Sequence, residues 1–238
     1  NSTGNATITG AFALGADAKE LVITTNGSSV VSAPASGAAL VPGNALTVGS
    51  ATSNTTISSG AGALTKAGAG TLILFGANAY TGDTTINQGA IQLSGATAAL
   101  GSLATAGNIT RIRQAGILDI NAAGTSTVLY TGGPSYPLVT IGALVGTGLI
   151  TNSDGGTSAQ ASVSLGSTAT TGQWTFGGTL QDGLGKLNVI INGTSARSQA
   201  IIGAQPYTGV TVINTGNLSV NILADGGTAS GLGASSNA

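Results

Sequence analysis

Apolar and polar residues alternate along this chain in short runs, and Gly, Asn or Asp closes nearly every run. Ala69 to Phe75, Thr84 to Leu93, Gly116 to Ile120, Val139 to Ile141 and Val210 to Ile213 carry the alternation most clearly. A period of two with β-branched residues and turn formers at both ends predicts strands. Good helix formers are scarce, and Gly, Thr, Ser or Asn breaks each apolar run before a helical face can build. The expectation is an all-β chain of many short strands.

The strands repeat. Gly76-Ala-Asn-Ala-Tyr-Thr-Gly-Asp-Thr-Thr-Ile-Asn-Gln-Gly-Ala-Ile-Gln-Leu93 aligns without a gap on Gly203-Ala-Gln-Pro-Tyr-Thr-Gly-Val-Thr-Val-Ile-Asn-Thr-Gly-Asn-Leu-Ser-Val220, at a constant offset of 127. Each copy then runs through a variable stretch into Leu-Gly, at Leu100-Gly101 and Leu232-Gly233. Self-similarity of this kind is the mark of a solenoid, whose units stack on one another and bury a continuous thin core. A weaker match joins Gly107-Asn108-Ile-Thr110 to Gly4-Asn5-Ala-Thr7. It predicts that the two ends of the chain share a phase and can follow one another.

Three stretches resemble the autotransporter-associated β-strand repeat of bacterial surface passenger domains. Residues 62–93 resemble its core unit, 140–153 the strand pair that lies between core units, and 174–187 the lead-in to the next core. The likeness covers roughly residues 50–235, and residues 1–49 match loosely. The second core departs from the pattern between Asn188 and Ile202, where Arg197 and Gln199 interrupt the expected strand. The resemblance implies a right-handed parallel β-helix displayed outside a bacterial cell. It implies no single activity, because such families include adhesins, spacers and passengers of other roles.

Composition narrows the picture further. Only 5% of 238 residues are charged, the net charge is -1, and the mean hydropathy is +0.37. Disordered chains combine low hydropathy with high net charge, so this one folds. The apolar runs are far shorter than the ~20 residues of a membrane-spanning helix. Cys, Met and His are all absent, which leaves no disulfide framework and no soft metal site. No cofactor is expected, and a pI near 4.9 removes the electrostatic footprint of a nucleic-acid binder. A nearly charge-free surface favours self-association.

Few side chains qualify for chemistry. Asp154, Asp182 and Asp225 each precede Gly and are expected in turns, where Asp binds local backbone. Arg111, Arg113 and Asp119 form the densest charged group, with the two arginines on one side of a strand. Arg111, Arg113, Tyr130 and Tyr136 are the candidate partner contacts, and the loops 132–137 and 195–205 the candidate adhesive loops. Tyr80 and Tyr207 occupy equivalent repeat positions and are expected to pack inside. Seven Asn-x-Ser/Thr sequons occur, and Asn54, Asn108, Asn192 and Asn217 are the candidate glycan acceptors. The acids do not repeat in a calcium-binding pattern, and the Gly-rich stretches precede no helix, which excludes a phosphate-cradling loop.

The reading is a single continuous β-solenoid over residues 1–238. Repeat cores lie near 62–101 and 185–233, connecting turns at 107–184, and loosely matching turns at 1–61. At about 20 to 25 residues per turn, the chain makes roughly ten turns and a rod on the order of 50 Å long. The expected role is an extracellular structural rod continued end to end as a surface fibre or stalk, with head-to-tail copies or adjoining repeats of the same chain as partner. An adhesin segment that contacts other surface proteins or glycans is the alternative, and a carbohydrate-active β-helix enzyme the third reading.

Overall fold

In the computed structural model, residues 4–9, 12–13, 19–26, 34–42, 44–52, 56–58, 62–102, 108–129, 133–156, 160–166, 172–193 and 197–235 are described. Among them there is no helix, and twenty strands wind through eight turns. The first turn holds β1 (Ala6–Ile8), β2 (Phe12–Ala13) and β3 (Glu20–Thr24). The second holds β4 (Ala45–Val48), β5 (Ile57–Ser58) and β6 (Ala63–Ala67). β7 (Thr71–Ala77), β8 (Thr84–Ala99) and β9 (Ile109–Asp119) carry the chain through the third and fourth turns and into the fifth. A hairpin of β10 (Thr125–Val128) and β11 (Ser135–Ile141), then β12 (Ala143–Gly146), completes the fifth. The sixth contains β13 (Leu149–Thr151), β14 (Gln160–Leu165) and β15 (Gly172–Phe176). The seventh contains β16 (Thr179–Leu180), β17 (Lys186–Asn192) and β18 (Arg197–Ile201). β19 (Thr211–Thr215) and β20 (Asn217–Val220) form the eighth.

Each turn visits three faces, and strands on a face pair in parallel with the turns below and above. The first face stacks β1, β4, β7, the second half of β8, the second half of β9, β13 and β16. The second stacks β3, β6, the first halves of β8 and β9, β12, β15, β18 and β20. The third begins with β2 on β5 and ends with β11, β14, β17 and β19. β8 serves two faces because it bends at Gly89, whose φ of 69° turns the chain around a corner. Only the β10–β11 hairpin is antiparallel among the named strands.

The core follows from this stacking. Leu72 lies under Ile91, Ile91 under Leu118, Leu118 under Ile150 and Ile150 under Leu180, and all five are buried. Similar buried ladders of Leu64, Thr84, Thr110 and Leu144, and of Val139, Val163 and Val189, line the other faces. Each such aliphatic side chain contributes about 1.5–3 kcal/mol when fully buried, and the ladder adds one contribution per face per turn. That additivity lets a chain with few aromatics fold.

The turns are less uniform than the spacing suggested. Thr71 pairs with Ala90, nineteen residues on, whereas Glu20 pairs with Ala63, forty-three residues on. Insertions leave at the corners while the ladder continues. Eight turns at ~4.8 Å per step give a stack of about 34 Å, shorter than the ten turns expected. Among the described residues of 188–202 the β17 pairing with β19 shifts register between Ile191 and Asn192, and in β18 Gln199 turns inward. Its amide accepts from Leu144 N (3.1 Å) and donates to the carbonyls of Leu144, Trp174 and Ala200.

One feature has no repeat counterpart. Residues 34–40 lie between β3 of the first turn and β4 of the second and run along the outside of the first face. There Gln181 Nε2 donates to Pro34 O (2.8 Å), Gly37 N donates to Asp182 O (3.2 Å), and Leu40 N donates to Ser153 Oγ (2.6 Å). Leu40 packs on Ala90, Ile117 and Leu149, an outward-facing apolar column from three successive turns. This strap ties the junction of the first and second turns to the seventh.

Candidate functional site: the repeat clasp and the open turn

The aligned sequence copies build the same local device. In the first, Gly76 adopts a φ of 70° and turns Asn78 inward. Asn78 Oδ1 accepts from Ile57 N (2.9 Å), and its Nδ2 donates to Gly76 O (3.3 Å) and Ala99 O (2.9 Å). One buried amide thereby satisfies backbone groups on three successive turns. Tyr80 follows, fully buried, its hydroxyl 2.7 Å from Thr84 Oγ1. Burial pushes the phenol pKa up, against the smaller opposing effect of the Thr84 hydrogen bond. Leu100-Gly101 then closes over the ring, with Ser102 N donating to Tyr80 O (2.7 Å).

The second copy repeats each step. Gly203 has a φ of 94°. Gln205 Oε1 accepts from Leu180 N (2.7 Å), while its Nε2 donates to Gly178 O, Ile202 O and Gly203 O. Tyr207 is buried with its hydroxyl 2.6 Å from Thr211 Oγ1, and burial pushes its pKa up to about 12. Ala234 N donates to Tyr207 O (2.7 Å), as Ser102 does to Tyr80. The two tyrosines are packing residues, as expected from their repeat position.

The copies do not sit above one another. Thr84 to Ile86 lies on the second face, whereas its counterpart Thr211 to Ile213 lies on the third. Ala90 to Leu93 lies on the first face, and its counterpart Asn217 to Val220 on the second. Four and two-thirds turns separate them, because three faces of similar width accept the same unit at any corner. The weaker register behaves alike: β1 after Asn5 lies on the first face, and the start of β9 after Asn108 on the second.

Surroundings divide the copies. Ile86 is fully buried, but its counterpart Ile213 is 53% exposed; Leu100 is 1% exposed, but Leu232 is 37% exposed. Val210, Ile222 and Leu223 are exposed beside them. The turn formed by β19 and β20 therefore presents residues that the repeat buries wherever another turn stacks on it.

Other expected residues fall as follows. Arg111 lies 3.7 Å from Asp83 in a half-exposed ion pair, and Arg113 is exposed two residues along. Asp119 does not join them; it lies on another face, buried. Tyr136 is half-buried on β11, and Tyr130 lies outside the described residues. Asn192 and Asn217 are exposed, Asn108 is buried with its amide directed at Ser102 O (3.4 Å), and Asn54 lies outside the described residues. The candidate adhesive loops are described at 133–137 and 197–205 only. Asp182 binds its turn as expected, accepting from Leu187 N and from Thr208 N and Oγ1.

Two charged side chains are buried, which their sequence neighbourhoods did not indicate. Asp119 accepts from Gln92 Nε2 (2.7 Å), Ser153 N (2.9 Å) and Asn121 N (3.1 Å), and desolvation holds its pKa above the usual carboxylate range against these hydrogen bonds. Lys66 Nζ donates to the carbonyls of Ala67, Gly68 and Gln88, and burial lowers its pKa to about 8. Lys66 caps the corner that Gly68 and Gly89 turn. Among the described residues no group of three or more acids, His or Cys is placed to hold a metal ion.

Residues 64–93, the first clasp with its flanking strands, match the passenger-associated-transport-repeat family. Over 179 residues, 74% of the chain, the sequence is 35% identical to the adhesin BmaC autotransporter of Brucella suis biovar 1 (strain 1330). The chain spans about 4% of that relative's length. No solved structure matches it. By its repeat, its parallel β-solenoid and this relative, the chain belongs to the autotransporter passenger repeat family.

Proposed function

We propose that the chain is a non-enzymatic structural segment of an extracellular surface passenger, a stiff spacer whose stack is continued end to end by another copy. The uninterrupted parallel ladder carries this reading: Leu72, Ile91, Leu118, Ile150 and Leu180 stack in register over five successive turns. A parallel stack of this kind grows by adding turns, since unpaired strand edges template further strands. Low charge removes the repulsion that would hold copies apart. Light scattering and electron micrographs of the purified chain test the reading. Rods longer than one stack, lost in Ile213→Asp, are the expected result; a monomer at high concentration in both proteins overturns it.

Adhesion is the second reading, supported by the name of the Brucella relative. The chain would then hold the loops around 132–137 and 195–205 against a neighbouring surface. Cell binding that disappears when those loops are exchanged, with the stack intact by circular dichroism, is its test.

A further inference from the structure

Outward-facing residues of the third face form a column over four successive turns. Leu138 pairs with Ser162, which brings Tyr136, two residues earlier, level with Gln160. Gln160 pairs with Lys186. Val189 pairs with Thr211, which brings Thr208 level with Lys186. Pro134, Tyr136, Gln160, Lys186, Thr208 and Ser235 line a groove of about 270 Å³ that runs along the stack. Inward neighbours Ala161, Leu187 and Tyr207 anchor its wall in the core.

We infer that this groove binds a short acidic saccharide. The half-buried Tyr136 ring offers a flat apolar surface at one end, suited to the C–H face of a sugar ring. Gln160 supplies an amide, and the hydroxyl oxygens of Thr208 and Ser235, whose protons go to Asp182 Oδ2 and Gly209 O, accept from sugar hydroxyls. Lys186 stands exposed at the centre, and among the described residues its ammonium forms no ion pair. On a surface this poor in charge, a lone ammonium sets the local potential and selects a carboxylate. Asp182 lies near, but the backbone of Leu187 and the amide and hydroxyl of Thr208 engage its carboxylate. One turn rises by ~4.8 Å, comparable with the advance of one sugar residue. A linear chain of two or three uronate residues therefore meets one side chain per turn.

The inference is independent of end-to-end stacking, since the groove lies on the side of the stack. Digalacturonate is the probe, with its methyl ester as the uncharged control, titrated into the full chain by calorimetry and ligand-observed NMR. The acid binds and the ester binds at least about tenfold more weakly, as expected for loss of one charge-assisted contact. Lys186→Gln removes the difference between acid and ester, Tyr136→Ala weakens both, and Lys19→Gln, an exposed lysine on another face, changes neither. Equal affinity for acid and ester, unchanged selectivity in Lys186→Gln, or no binding at all overturns the inference, provided circular dichroism shows each variant folded.

Discussion

Gly101 lies directly against Tyr80. A Cβ built on Gly101 would stand 2.8 Å from Tyr80 O and 3.0 Å from its Cε2, and the residue holds a φ of 58°. Both facts require glycine. Left-handed backbone costs an L-residue roughly 1–2 kcal/mol, and the contact with a carbonyl oxygen cannot relax by rotating a side chain. Gly101→Ala is expected to destabilise by about 2 kcal/mol or more, read from urea midpoints. Gly233→Ala meets the Tyr207 ring at 2.6 Å, also at a left-handed φ of 86°, and is expected to destabilise in the same direction.

Asn78 carries the second prediction. Its amide is the partner of Ile57 N, Gly76 O and Ala99 O, which belong to three different turns. Asn78→Leu keeps the branching at Cγ but strands all three groups, and an unsatisfied buried group costs about 1–3 kcal/mol. A loss of roughly 3 kcal/mol or more is expected. Hydrogen exchange separates this from a general loosening: the amide of Ile57 loses protection first, while those of β14 and β17 keep theirs.

The sequence disclosed the strands, the solenoid and the clasp residues, because alternation, glycine spacing and the Tyr-Thr-Gly match are local signals. Tyr80 and Tyr207 were legible as inward packing for that reason. The third-of-a-turn rotation between the copies was not legible, since the offset of 127 residues contains insertions whose lengths are invisible until the ladder is counted. Asp119 was grouped with Arg111 by sequence distance, but β9 turns a corner at Gly116 and carries it to another face. The strap was hidden for the opposite reason: Leu40 and Ser153 lie 113 residues apart, and nothing in either neighbourhood predicts their meeting.

Lys66 gives a pH dependence with a definite sign. Its pKa in the fold is about 8, below the ~10.4 of an unfolded lysine. Between these values the unfolded chain binds more protons, so stability rises with pH across the window and is lost as pH falls through 8. Urea unfolding at pH 7.5 and pH 9.5 should show higher stability at the alkaline value. Lys66→Met is expected to flatten that difference while lowering stability at both, because three carbonyls lose their donor.

Asp119 works the other way. Burial raises its folded pKa above the ordinary carboxylate value. The fold therefore holds the proton more tightly than the unfolded chain, and this contribution is present at low pH and fades as pH rises through the raised pKa. Other carboxylates titrate in the same range, so the informative quantity is the stability of wild type minus that of Asp119→Asn at each pH. That difference should fall from pH 4 to pH 7. A flat difference would mean that Gln92, Ser153 and Asn121 cancel the cost of burial.

Leu40 tests the strap. It is the side chain of the 34–40 segment that joins the column of Ala90, Ile117 and Leu149, and three hydrogen bonds secure the segment beside it. Leu40→Asp places a carboxylate against that column, where an unpaired charge is strongly disfavoured. The strap should lift while the ladder of parallel strands persists, because no ladder bond passes through residues 34–40. Limited proteolysis is expected to cut within 34–42 much faster in the variant, with the β7 to β9 amides still protected. Loss of protection throughout β13 and β16 as well would mean that the strap holds the sixth and seventh turns in place rather than covering them.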